Sequence, residues 1–267
     1  MAESENFSSS PVASSLAGKI ALVTGASRGL GRDISIALAQ AGAAVACVAR
    51  RAERAQETVD KIAALGARAL AVGAHVEQGP LVEEMFRRTE AELGPIDILV
   101  NNVGIARRKA VLDMSEDDWN EHFDINAKSV FLCSKRAAQA MISRGSGGAI
   151  VNIGSIAGHN AFPQRLGYCA SKAAVEHMTR VMATEWANIG IRVNCIAPGF
   201  IATEAIAWFA QKGILDIEAL KRRTPMGQLG TGADVGAAAV YLASDAARFV
   251  TGSILTVDGG WTAYGYL

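Results

Sequence analysis

The sequence predicts one α/β domain, a doubly wound (Rossmann) fold on a parallel sheet of about seven strands with a helical substrate lid. Three observations carry that prediction. From Lys19 onward, short β-branched runs alternate with longer helical patterns, the mark of successive βαβ units. Each run is close to fully apolar, as expected of strands covered by helices on both faces. The chain has 267 residues, 50% of them apolar, which is enough to bury one large core.

Residues 1–17 are rich in Ser and acidic side chains, with neither a basic leader nor an apolar run, and read as a mobile tail, not a signal peptide or anchor. The domain then occupies residues 18–267. Its strands are expected at "KIALVTG", "AAVACVAR", "RALAVGA", "IDILVNN", "GAIVNIGS", "RVNCIAPG" and "SILTVDGG", with a helix from Leu30 after the first and further helices between the others. The long interruption at about 200–230, between "APG" and a helix near Thr231, falls outside the sheet. An insertion after a strand end is placed to cover a ligand at the carboxyl edge.

Composition excludes several functions. The 26 basic and 26 acidic residues cancel, so no broad field attracts nucleic acid or anionic lipid. Gly and charged residues break every apolar stretch before 18 residues, so no membrane span is expected and the reading is cytoplasmic. Cys47, Cys133, Cys169 and Cys195 show no CxxC spacing, which points to small core residues rather than a metal site or disulfides.

The first strand runs into "TGASRGLG", Thr24 to Gly31, and directly into a helix. Gly25, Gly29 and Gly31 permit a tight turn and close backbone approach, and the helix amino end offers N–H groups to a diphosphate; a turn serving only helix–strand packing is the alternative. The fourth strand ends in "NNVG", whose amides either brace neighbouring backbone or line a pocket. The fifth ends at Ser155, and Tyr168 and Lys172 follow, four residues apart on one helix face. An ammonium beside a phenol favours the phenolate and lowers its pKa, making the tyrosine a usable acid or base. A serine hydroxyl from the strand end then holds a substrate oxygen.

With these motifs in order, the chain resembles the short-chain dehydrogenase/reductase family from about Lys19 to the "VDGGW" at Val257–Trp261. The resemblance implies a catalytic group of Asn126 (in "FDINAKSVF"), Ser155, Tyr168 and Lys172. In these roles Tyr168 exchanges the proton, Lys172 also holds the nicotinamide ribose, Ser155 polarises the carbonyl, and Asn126 positions a water linking Lys172 to solvent. The implied cofactor residues are Gly25, Ser27, Arg28, Gly29, Leu30 and Gly31 in the turn, and Arg50 after the second strand. His75 and Val76 follow the third strand and Asn102, Val103 and Gly104 the fourth; Tyr168 and Lys172, then Pro198, Gly199, Ile201 and Thr203, complete the set. Two positions depart from the family pattern: Val103 stands where Ala is usual, and His75 where an Asp usually meets the adenine amino group. A neutral imidazole still accepts one hydrogen bond.

Ala49 occupies the place where relatives that use NAD carry an acid, and Arg50 follows. With Arg28 in the glycine turn, this favours NADP(H) through a clamp on the 2′-phosphate, NAD(H) being the alternative. His159, Glu204 and Trp208 are candidate substrate contacts, a solvated loop histidine and a first-turn acid complementing the helix dipole being the alternatives for the first two, and Ile206, Phe209, Ile214 and Leu215 supply apolar lid surface with Trp208. The expected activity is hydride transfer between nicotinamide and a small ketone or secondary alcohol, in the carbonyl-reducing direction, with no metal. A 3-oxoacyl carrier-protein reductase docking through "ARRK" and "KRR", a sugar or polyol dehydrogenase, and a non-catalytic dinucleotide sensor are the alternatives. The resemblance also implies a homotetramer, and the aromatic "WTAYGYL" is expected at an interface.

Overall fold

The computed structural model describes residues 15–265. Most of the tail therefore lies outside the described residues, as do Tyr266 and Leu267 of the aromatic terminus. Where the tail is described, it is packed. Leu16 is 1% exposed and its backbone N–H donates to Ala41 O at 2.7 Å, so the packed chain begins before residue 18. The reason is simple hydrophobic burial of a leucine that follows the polar stretch.

The elements run β1 (Ile20–Thr24), α1 (Gly29–Gln40), β2 (Ala44–Ala49), α2 (Gln56–Ala63), β3 (Ala69–Gly73), α3 (Gly79–Glu92) and β4 (Ile98–Asn101). Then come α4 (Glu116–Phe123), α5 (Ser129–Arg144), β5 (Gly148–Ile153), α6 (Leu166–Trp186) and β6 (Ile191–Pro198). The chain closes with α7 (Glu204–Gln211), α8 (Ile217–Arg223), α9 (Gly232–Ala243) and β7 (Ile254–Val257). The seven strands form one sheet in the order β3-β2-β1-β4-β5-β6-β7, every pair parallel.

Side-chain alternation along β1 shows why the strand is apolar throughout. Ala21 and Val23 face a core with Ile34 and Leu38 of α1 and Val235 and Leu242 of α9. Ile20 and Leu22 face the opposite core, with Phe86 of α3, Met141 of α5 and Val175 of α6. Both faces are covered, so neither tolerates polar residues. Burying a side chain the size of Phe86 contributes about 2–3 kcal/mol.

The strand order reverses between β1 and β4, whose crossovers leave to opposite faces of the sheet. That divergence opens a crevice at their carboxyl ends, the position where doubly wound sheets bind ligands. The 200–230 insertion leaves and rejoins the body at one point. Ala202 N–H donates to Gly230 O at 2.8 Å and Gly230 N–H to Phe200 O at 3.0 Å. Between these ends lie α7 and α8, and Thr231 caps α9 with its hydroxyl accepting from Asp234 N–H.

Candidate active site

The glycine turn is held by sterics that exclude other residues. Gly25 has φ 70°, in the left-handed region, and Gly31 is closed in: a Cβ there would meet Gly25 O at 2.2 Å and Asn102 Nδ2 at 2.5 Å. Asn102 Nδ2 donates to Thr24 O at 3.0 Å and Gly25 O at 3.2 Å, and its backbone N–H donates to Thr24 Oγ1 at 3.0 Å. Both roles open to the "NNVG" amides are seen in Asn102, which braces the turn and also lines the adjoining cleft. Asn101 lies deeper, donating to Ser134 Oγ and Asn152 Oδ1. Such a close-packed turn leading into a helix is a cradle for a diphosphate. Ala26 N–H donates to Val48 O at 2.9 Å, which sets the turn against the end of β2, where Arg50 follows directly. Arg28 and Arg50 are exposed and have no ion pair among the described residues. This surrounding therefore fits a dinucleotide carrying an extra phosphate.

Near the end of β3, His75 Nδ1 lies 3.0 Å from Glu77 Oε1. A neutral ring that donates through Nδ1 to that carboxylate has Nε2 left to accept one hydrogen bond. Val76 is buried beside it and Val103 is partly buried against the same core.

Four elements bring the catalytic candidates together. Asn126 sits in a five-residue π-helical turn, Asp124–Lys128, between α4 and α5. Such turns re-aim side chains at functional sites. Its Oδ1 accepts from Ile105 N–H at 2.8 Å, while Nδ2 donates to Ile105 O at 3.0 Å and Ser171 Oγ at 2.9 Å. A Cβ on Gly104 would lie 3.4 Å from both Asn126 Oδ1 and Lys172 Nζ, which places amide and ammonium side by side. Lys172 is 4% exposed and donates from Nζ to Ile153 O at 2.7 Å. Ser155, two residues beyond β5, shares a hydrogen bond with Tyr168 and accepts from Ala157 N–H at 3.1 Å.

Electrostatics correct one sequence expectation. Lys172 does not pull the Tyr168 pKa down: burial pushes the phenol up, and the opposing influences are the Ser155 hydroxyl and the Arg165 guanidinium. The ammonium is spent on the Ile153 carbonyl and lies 5.9 Å from the Tyr168 ring centroid. Lys172 is itself depressed, from 10.5 to about 8, because burial disfavours its charge; Cys195 and Glu176 oppose that loss.

A cleft of about 440 Å³ adjoins these groups. Leu30, Asn102, Gly104, Tyr168, Lys172, Pro198, Gly199, Ile201 and Thr203 line it, so strand-end cofactor candidates and catalytic candidates share one cavity. Ser27 is half-buried in the glycine turn, where its carbonyl accepts from Arg32 Nη2 at 2.8 Å. The lid contributes Ile206, Phe209, Ile214 and Leu215 to the cleft wall.

The three substrate candidates fall elsewhere. Trp208 is 51% exposed and packs edge-on against Phe209. With Ile206 and Phe209 turned to the cleft, the intervening helix position faces away. Glu204 stands in the first turn of α7, capped by Thr203, with a carboxylate oxygen 3.6 Å from Arg32 Nη1. That is the place of a dipole-complementing acid, not of a pocket wall. His159 has Nδ1 3.2 Å from Glu176 Oε1 and is absent from the cleft lining.

Sequence reading missed Glu176, which continues the Tyr168–Lys172 ridge one turn further along α6. It is 4% exposed, and a Cβ on Gly158 would meet its Oε1 at 2.2 Å, so the carboxylate packs beneath the turn that carries Ser155. It also missed Arg165, three residues before Tyr168, and overlooked Arg108 within the basic run; both line the cleft. Cys47, Cys133 and Cys195 are buried as expected, and Cys169 is half-buried. Among the described residues no cluster of metal-ligating side chains is present, and no helix is long and apolar enough to cross a membrane.

Comparison with known proteins places this geometry among related chains. A family model described as enoyl-(acyl carrier protein) reductase matches residues 25–262. The 2-dehydro-3-deoxy-D-gluconate 5-dehydrogenase of Escherichia coli K12 is 41% identical over 249 residues, covering 93% of this chain and 97% of the relative. A short-chain type dehydrogenase/reductase from Mycobacterium marinum superposes with a TM-score of 0.89 at 40% identity, covering 94% of this chain and 98% of the other. A gluconate 5-dehydrogenase from Burkholderia cenocepacia J2315, in complex with NADP and tartrate, does so with a TM-score of 0.89 at 36% identity, covering 95% and 98%.

Proposed function

The chain belongs to the short-chain dehydrogenase/reductase family, and from that premise we propose that it is an NADP(H)-dependent oxidoreductase reducing a small ketone to a secondary alcohol. NAD(P)-dependent hydride transfer is the chemistry of the family, and relatives of this fold bind NADP. The observation that carries the reading is the meeting of Tyr168, Ser155 and Lys172 at one cleft beside the glycine turn.

In this reading the turn from Gly25 to Gly31, with Arg28 and Arg50, holds the dinucleotide. When bound, the nicotinamide supplies the hydride. The chain's own residues supply the rest. Ser155 donates a hydrogen bond to the substrate carbonyl oxygen, meeting the negative charge that develops there. Tyr168, kept protonated by its burial, transfers its phenolic proton to the same oxygen, which suits the reducing direction. Lys172 sets a cation 5.9 Å from the Tyr168 ring centroid and would hold the nicotinamide ribose, and Asn126 sets the Gly104–Ile105 backbone next to it. The apolar lid residues exclude water from the step.

The basic runs favour a small-molecule substrate over a docked carrier protein. Arg107 pairs with Glu121, Lys109 with Asp118 and Lys221 with Glu218, while Arg223 is stacked between Trp261 and Tyr264. Little free positive charge is left for an acidic partner. Assembly of copies in a cytoplasmic homotetramer belongs to the same reading, supported by the exposed Phe131 and Ile142 of α5 and Val181 of α6. Initial rates with NADPH and NADH against cyclic ketones, sugar-derived ketones and oxoacyl thioesters test the proposal. Turnover of small ketones with NADPH is expected, and dinucleotide binding without turnover of any of them would defeat it.

A further inference from the structure

Arg107, Arg108 and Lys109 follow β4 in one run, and the fold sorts them by partner. Arg107 is neutralised by Glu121 and Lys109 by Asp118, both of α4. Among the described residues Arg108 has no carboxylate partner. Its Nη2 donates to the neutral Oε1 of Gln164 at 3.3 Å, and the residue lines the cleft. Arg165 lines the same cleft, half-buried, with no ion pair among the described residues.

The backbone that presents this pair is held firmly. Gln164 has φ 63°, in the left-handed region that residues with a Cβ avoid. Its carbonyl accepts from Lys109 N–H at 2.8 Å, and a parallel bridge joins Lys109 to Arg165. Two loops distant in sequence are thereby zipped together at the cleft, one arginine from each. Burial and the neighbouring Arg108 both press the Arg165 guanidinium below its ordinary value, while Tyr168 opposes them. Like charges converging in a partly desolvated cleft are unfavourable until an anion enters.

Resting on the oxidoreductase reading above, we propose that Arg165 and Arg108 form a carboxylate-binding subsite, which makes the substrate a small oxo acid or the corresponding hydroxy acid. Guanidinium matches a carboxylate with two parallel hydrogen bonds, and Arg165, the residue before α6, lines the same cleft as Tyr168 three positions on. A carboxylate held there and a carbonyl at Tyr168 occupy one small cavity, which suits a small substrate. A neutral ketone or an acyl thioester leaves both arginines without an anionic partner among the described residues.

The test compares an oxo acid, its primary amide and a phosphorylated ketone of equal chain length, with NADPH, in the full-length protein. The acid is expected to exceed the amide roughly 10- to 100-fold in kcat/KM, the span of a charge-assisted contact. Arg165→Gln is expected to collapse that ratio to within about threefold, and Arg165→Lys to restore part of it, since ammonium keeps the charge without the fork. Both substrates use the same Tyr168, so the ratio cancels any effect of Arg165 on the phenol. Equal rates for acid and amide, an unchanged ratio in Arg165→Gln, or preference for the phosphorylated ketone overturns the assignment. If no ketone is reduced, the proposed function fails, and calorimetry of a hydroxy acid against its amide on the NADP-loaded protein still decides the subsite. Tighter binding of the acid, lost in Arg165→Gln, upholds it, and equal binding refutes it.

Discussion

Two pairs of arginines without acidic partners stand along the carboxyl edge of this sheet, and they are positioned in different ways. Arg28 lies inside the glycine turn after β1 and Arg50 directly follows β2, so each is placed by the end of its own strand. Arg108 lies seven residues beyond β4 and Arg165 directly precedes α6, and they meet only because Lys109 and Gln164 pair their backbones. The first pair is set by local chain geometry, and both its members are exposed. The second depends on contact between distant loops, with Arg165 half-buried and Arg108 exposed. In the proposed reading, recognition of the cofactor is built into the strand ends and recognition of substrate into the loops beyond them, as the tolerance of loops for variation permits.

In that reading both pairs serve one reacting centre, so removing that centre gives the largest effect. Tyr168→Phe keeps the ring and its packing, and kcat should fall at least roughly 10²-fold while NADPH affinity, followed by fluorescence titration, changes little. Substantial turnover by this variant would remove Tyr168 from the mechanism.

The next prediction separates the two pairs. Arg50→Asp introduces the acid that Ala49 does not provide, and should invert a roughly 10- to 100-fold preference for NADPH over NADH in kcat/KM. The acid-to-amide ratio of the substrate should stay within about twofold, because the pairs lie at different strand ends. A cofactor ratio unmoved by Arg50→Asp would show that no phosphate clamp exists there.

A smaller effect is expected from pH. Lys172 is depressed from 10.5 to about 8 by burial, so its charge is present below that value and lost as pH rises through it. Because kcat/KM reports the free enzyme, it should decline above pH about 8 by at most roughly tenfold per unit, and Lys172→Met should flatten that limb. The sign for stability is the reverse of an ion-paired lysine: burying the ammonium opposes folding below about 8, and the cost fades toward 10.5. A limb of unaltered shape in Lys172→Met would assign it to another group.

The smallest effect belongs to Glu204, exposed and paired with Arg32. Glu204→Gln should leave the relative rates for cationic and neutral ketones within about twofold, in keeping with the modest worth of exposed ion pairs. Selective loss of rate with amine-bearing substrates would bring this carboxylate into the cleft after all.

How much was legible follows from range along the chain. The parallel sheet, the glycine turn, the lid segment and the Tyr168–Lys172 ridge rest on patterns within a few residues: apolar runs, glycines and helical spacing of four. Trp208 and Glu204 were candidate substrate contacts because they sit in the lid, with a dipole-complementing acid as the other reading of Glu204, and which face of α7 meets the cleft depends on how the helix docks. His159 looked available until Glu176, 17 residues on, came beneath it.

By itself the sequence determined the architecture, the candidate catalytic side chains and the absence of an acid at the end of β2. Strand burial on two faces and the steric exclusion of a Cβ at Gly31 admit few alternatives, so residue types at those positions carry the information directly. Only the tertiary structure decided which charges remain unpaired and which groups tune the phenol. Charge pairing and desolvation act through space at a few ångströms, between residues such as Arg108 and Arg165 that lie 57 positions apart. Local patterns hold no record of such meetings; the Lys109–Gln164 hydrogen bond brings these two together.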